Sequence, residues 1–245
     1  MNPNRMRSSF GFGTRLTKLG KRLLILYAAV YIAELLLEHW LHIPATAWLQ
    51  LYPPAGEGFH LWQIVTHPFI HNPQAPLGFL INCLVLYFFA APVEFALGSG
   101  RFLALFYLSA LGAALAGMAL SGVAGFNAPF MGMLPSLLAL IVVFGLLNPE
   151  ATILLMFILP VKAKYISYGT AGIALLTFLA KANPHGAYHL GGIFCGWAYF
   201  KAPGTRLDPR LLYLKYLQWR LDRRKSRFTV IDGEKGKDDD KPTYH

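Results

Sequence analysis

From Leu23 to Gly100 the chain carries no Lys or Arg, although these residues number 22 among its 245. Six of the cations precede Leu23 and twelve lie at or beyond Lys201. A soluble domain is about a quarter charged; this chain is 14% charged and 55% hydrophobic, with its charge pushed to the ends. Helices of about 20 apolar residues cross hydrocarbon, because a helix satisfies its own backbone hydrogen bonds. The pattern therefore predicts an all-α polytopic membrane protein with basic tails. A basic N-terminal tail covers residues 1–22, a membrane domain 23–202, and a basic, polar C-terminal region 203–245. The net charge of +10 then points to topology and to anionic lipid, not to nucleic acid.

Hydrophobic runs place six spans, at about 23–41, 77–97, 102–120, 131–147, 165–179 and 187–200. No small-residue cleavage site follows the basic start, so the first run is expected to stay as a span. Glu34 lies within it, and a charge there must face the bundle or the interface. Between the first two spans runs a long loop, about 42–76, rich in Pro and in Trp and Tyr suited to the headgroup region. Trp62 and Phe69 read as interface anchors. His67 and His71 stand four apart, a spacing that suits a metal on a helix, but Pro68 and Pro73 oppose a regular helix there, so no metal or other cofactor is expected.

Residues 151–161 are apolar but half a span long and read as an interfacial or re-entrant piece. Glu94 reads as a cap or as the ion-pair partner of Arg101. Cys83 and Cys195 sit in apolar runs as packing residues. Residues 211–228 alternate Leu with Lys and Arg, and read either as an amphipathic helix on the inner leaflet or as a solvated helix. Basic residues favour a cytoplasmic location for both termini and an outer location for the long loop.

Several elements recur in one order: Trp62-Gln63-x-x-Thr66 leading to Phe69-x-His71, then Asn82, Glu94-x-x-x-Gly98, Arg101-Phe102-Leu103, the run Leu159–Tyr165, and His189-Leu190-Gly191-Gly192-x-x-x-Gly196. Together they resemble the rhomboid family of intramembrane serine peptidases, over about residues 23–200. The resemblance implies a six-transmembrane-helix bundle. It also implies a serine in a Gly-x-Ser-Gly motif at the start of span four, a histidine base on span six, and a His-x-x-x-Asn pair on span two that stabilises the oxyanion. A serine hydroxyl needs such a base, and the developing charge needs donors already aimed at it.

Carried over by position, His189 falls on the base and Asn82 on the oxyanion asparagine. The family's second donor falls on Gly78. Gly132 matches the first glycine, and the nucleophile position falls on Leu134, followed by Pro135. Ser136 lies two residues further, about 200° round a helix, so it serves as nucleophile only if the opening turn is distorted. The resemblance thus implies a multi-pass pseudoprotease that binds transmembrane segments of client proteins. An active serine-type endopeptidase using Ser136 and His189 is the alternative, and a small-solute transporter or channel a weaker one. The implied partners are the lipid bilayer and client membrane segments, and the implied location is a bacterial cell membrane.

Overall fold

The computed structural model describes residues 16–54, 57–124, 128–155, 159–180, 185–202 and 216–221. The N-terminal tail up to residue 15 and most of the 211–228 segment lie outside them; within the latter, 216–221 are helical. Helix α1 (Lys18–Leu35) starts where the Thr17 hydroxyl accepts a hydrogen bond from the Gly20 amide at 3.0 Å, the usual N-cap service. A π-helical turn, Leu36–Trp40, prolongs it. The connection holds two short helices, α2 (Ala45–Leu49) and α3 (Gln63–Thr66). Then follow α4 (Pro76–Leu97), α5 (Ser99–Ala124), α6 (Leu134–Leu147), strands β1 (Thr152–Leu155) and β2 (Leu159–Lys162), α7 (Ala163–Leu179) and α8 (Gly186–Lys201).

Helices occupy all six stretches read as spans. Among the described residues, three stretches are long and apolar enough to cross a bilayer, Lys18–Trp40, Pro76–Leu97 and Ser99–Ser121, while Leu134–Leu147 is apolar but shorter. Fourteen residues in α6 rise only about 21 Å. Each helix buries one stripe. On α1 it is Leu23, Tyr27, Tyr31 and Glu34, three to four residues apart and hence on one face, while Ile25, Ile32 and Leu36 are exposed.

Glycines let α8 enter between α5 and α6. A Cβ on Gly192 would stand 2.5 Å from the Pro135 Cβ, and one on Gly196 would stand 2.6 Å from both the Ala139 Cβ and the Ser109 Oγ. The Gly192-x-x-x-Gly196 face thus packs within the chain, as close-approach glycines do. Pairing of 192 with 135 and 196 with 139 makes α8 parallel to α6. On α5, Gly117 lies under Tyr188 and Gly112 under Cys195, so α8 is antiparallel to α5. Ser167 of α7 donates to the Ile141 carbonyl of α6 at 3.0 Å, and Gly145 would clash with it at 1.8 Å if it carried a Cβ.

The fold departs from an all-α reading at residues 151–161. Here Thr152–Leu155 and Leu159–Lys162 pair as an antiparallel hairpin, with Thr152 opposite Lys162 and Leu154 opposite Pro160. β-branched Ile153 and Val161 face each other across it, the residue types that suit a pleated surface. The long connection is also more ordered than a plain loop: Leu51 and Phe130 exchange both backbone hydrogen bonds at 2.8 Å. Trp62 is exposed and donates its Nε1 proton to the Trp48 carbonyl at 3.1 Å. Phe69 instead turns inward and stacks on Tyr27 at 5.9 Å. Glu94 joins helix ends through side chains: it accepts from Ser99 Oγ at 2.6 Å and from the hydroxyl of Thr17, the N-cap of α1. Among the described residues it forms no ion pair with Arg101; the recorded pairs join Lys162 and Lys164 to Glu150.

Candidate functional site

The stretch that opens α6 is shaped by Gly132. Its φ of 99° is a left-handed value that a side chain strains to adopt. Its amide donates to the His67 carbonyl at 2.8 Å. Pro135 then occupies the first turn of α6, where the missing amide proton costs nothing. Pro135 faces α8 through Gly192. The next residue, about 100° further round, faces a different helix: Ser136 is fully buried and its hydroxyl donates to the Phe106 carbonyl of α5 at 2.6 Å. Leu134, at the nucleophile position, is half-buried.

His189 lies one turn before Gly192 on α8. Its ring meets Phe130 edge-on at 6.1 Å. Phe130 also stacks on Tyr188 at 4.2 Å and meets His185 at 5.2 Å and His67 at 5.9 Å. Three imidazoles therefore surround one phenyl ring, which the bridge to Leu51 holds in place. His185 donates from Nε2 to the Pro129 carbonyl at 3.0 Å, and burial lowers its pKa. Asn82 is half-buried on α4 and makes no hydrogen bond to another described residue. The structure brings His189 to the mouth of α6 but does not join it by a hydrogen bond to Asn82 or Ser136. At Gly78 an added Cβ would meet only the Ala75 Cβ, at 3.9 Å, so the position of the missing donor is open.

A second polar cluster was not foreseen from the sequence. Both carboxylate oxygens of Glu34 accept from the His71 amide, at 3.2 and 3.1 Å. The His71 ring stands edge-on to Tyr27 at 5.6 Å and Phe79 at 5.0 Å, and its Nε2 lies beside Gly132. The signal in the sequence was Glu34 itself, since a carboxylate within a span demands a partner. His67 directs Nδ1 to the carbonyls of Gln63 and Ile64, each at 3.0 Å. Burial depresses the pKa values of His67 and His71 to about 4, so both imidazoles are neutral at pH 7. Among the described residues, no three His, Cys, Asp or Glu side chains gather into a metal-binding group.

Beyond these sites, a cleft of about 480 Å³ opens between α6, α7 and α8, lined by residues that include Leu146, Ser167, Tyr168, Phe194 and Trp197. Its walls are nearly all apolar.

No curated protein matches the chain. Residues 21–205 match a family described as eukaryotic integral membrane protein (DUF1751). That description takes the support from a bacterial cell membrane as the location. The match covers α1 from its fourth residue and every later helix to α8, and with the charge pattern and the three long apolar helices it leads to one conclusion: the chain belongs to this family of integral membrane proteins.

Proposed function

We propose that the protein is a rhomboid-like, six-span pseudoprotease that binds transmembrane segments of client membrane proteins without cutting them. The observation that carries this reading is the direction of the Ser136 hydroxyl. It is spent on the Phe106 carbonyl, on the α5 side of α6, while the histidine-bearing helix packs on the Pro135 side. Leu134 at the nucleophile position offers no hydroxyl, and a base without a nucleophile cannot start acyl transfer. The apolar cleft between α6, α7 and α8 supports a role in holding membrane segments. Both termini are cytoplasmic in this reading, on the side where the cations gather.

The test combines chemistry and binding in one preparation. Purified protein in proteoliposomes is exposed to a fluorophosphonate probe and to a fluorescent single-span peptide. The expected result is no labelling, no cleavage, and saturable energy transfer from Trp197 to the peptide. Labelling of Ser136 that His189→Ala abolishes would instead establish a serine peptidase, and absence of saturable transfer would remove the client-binding role.

A further inference from the structure

The six long helices alternate in direction, so the start of α1, the turn between α4 and α5, the α6–α7 connection and the end of α8 share one end of the bundle. That end holds Lys18, Lys21, Arg22, Arg101, Lys162, Lys164 and Lys201 among the described residues. Its described acids are Glu94, held by two hydroxyls, and Glu150. The β1–β2 hairpin projects from this end.

We propose that this hairpin is a leaflet-inserting element that binds anionic lipid. Directly opposed residues of an antiparallel pair share a face. Thr152, Leu154, Pro160 and Lys162 therefore form one face, and all four are exposed. Ile153, on the other face, packs against the core formed by α1, α4, α5 and α6. Leu154, on that outward face, is 41% exposed; Leu159 pairs with Leu155 and so belongs to the Ile153 face, yet at the far end of the ribbon it is 57% exposed. In water such leucines forfeit their burial gain; at the boundary of headgroups and acyl chains they regain it, as the apolar face of an interfacial helix does.

The depth of the hairpin is fixed by its base. The Ala163 amide donates to the Ala151 carbonyl at 2.8 Å, and the Lys164 amide to the Pro149 carbonyl at 3.3 Å, which tie the hairpin to the ends of α6 and α7. Tyr165 and Tyr168 are exposed at the start of α7, as aromatic residues at the headgroup level are. The Lys164 ammonium lies 5.5 Å from the Tyr165 ring centre. Apolar side chains thus point outward beside cations at headgroup depth. Glu150 receives both lysines, at 2.7 and 2.5 Å, so the local cluster keeps one net positive charge for lipid phosphate. Strand addition by a second copy is the other use of an exposed ribbon. Pro160, which has no amide proton to donate, blunts that edge.

An environment-sensitive fluorophore is attached at Leu154→Cys or Leu159→Cys, in full-length protein carrying Cys83→Ala and Cys195→Ala, in vesicles of phosphatidylcholine and phosphatidylglycerol. The expected result is blue-shifted emission, and quenching by brominated phosphatidylglycerol at least twofold stronger than by brominated phosphatidylcholine. Lys162→Gln with Lys164→Gln should abolish that ratio, and Glu150→Gln should raise it. Water-like emission quenched only by aqueous iodide would overturn the proposal, as would equal quenching by the two lipids. Protection from both quenchers together with crosslinked dimers would assign the face to a second copy. In case the cysteine-free background does not fold, phosphatidylglycerol co-purifying with the otherwise native chain is weighed against that with Lys162→Gln/Lys164→Gln. A fall of half or more is expected, and no change would reject the anionic selectivity.

Discussion

The Ser136 hydroxyl donates to the Phe106 carbonyl at 2.6 Å, and this hydrogen bond joins α6 to α5 at a fully buried point. Carbonyl 106 belongs to the helical ladder of α5, so the serine is a second donor to it. In this position the residue is a structural fastener between two helices.

Ser136→Ala removes that donor but leaves the carbonyl its ladder partner. The loss should be that of a single neutral hydrogen bond, about 0.5–1.5 kcal/mol. Unfolding of the purified protein in detergent should show a small drop in midpoint, while fluorophosphonate labelling stays at background in both proteins. A stability change of zero would mean that the bond contributes nothing.

Gly192 tests the entry of α8. A methyl group there would stand 2.5 Å from the Pro135 Cβ and 3.1 Å from the Pro135 carbonyl oxygen, neither of which is a flexible side-chain end. Gly192→Ala should cost about 1–3 kcal/mol as overpacking. Gly169→Ala is the control, since nothing lies within 4 Å of a Cβ there. Equal midpoints for the two variants in detergent unfolding would show that α8 does not sit as closely as described.

Much of this was legible in the sequence, for definite reasons. Long apolar runs show as helices, so α8 could be read, and its glycines four apart turn out to be the close contact. Leu134 and His189, singled out by the order of short motifs, lie on α6 and α8. Rotation alone sets Ser136 opposite α8 only if position 134 faces that helix, whereas Pro135 is the residue against Gly192; the acceptor of Ser136, Phe106, lies 30 residues away and nothing local encodes that pairing. The hairpin was missed because a short apolar run without polar alternation fits a strand, a helix or a re-entrant piece equally well. Glu34 was marked as needing a partner, yet the partner is a backbone amide at His71, and an amide leaves no mark in a sequence.

That clasp gives the next prediction. Glu34→Ala leaves the His71 amide buried and unpaired, at about 1–3 kcal/mol. Glu34→Gln keeps an acceptor oxygen at the same reach and should cost less. The order Ala below Gln below native in unfolding midpoint is expected. If Gln fell as far as Ala, the charge and not the hydrogen bond would be the stabilising feature.

Proton linkage at His67 and His71 sets the pH behaviour of the folded chain. Both lie in the connection between α1 and α4. Burial lowers each pKa from 6.5 to about 4. Between those values the unfolded chain binds more protons than the folded one, so stability is complete above about pH 6.5 and falls as pH decreases toward 4. A shift of that size is worth up to about 3 kcal/mol per histidine. His185 shifts in the same direction and adds to the slope. Glu150, held near 2 by Lys162 and Lys164, follows a carboxylate course and loses its contribution only as pH drops below its ordinary 4.5. The histidine contribution, read as the difference in detergent unfolding midpoint between the native chain and the His67→Gln/His71→Gln double variant, should therefore decline from pH 6.5 to 4.5. His67→Gln combined with His71→Gln should lower the plateau and flatten the decline. An unchanged slope in that double variant would show that these two imidazoles are not the groups being titrated.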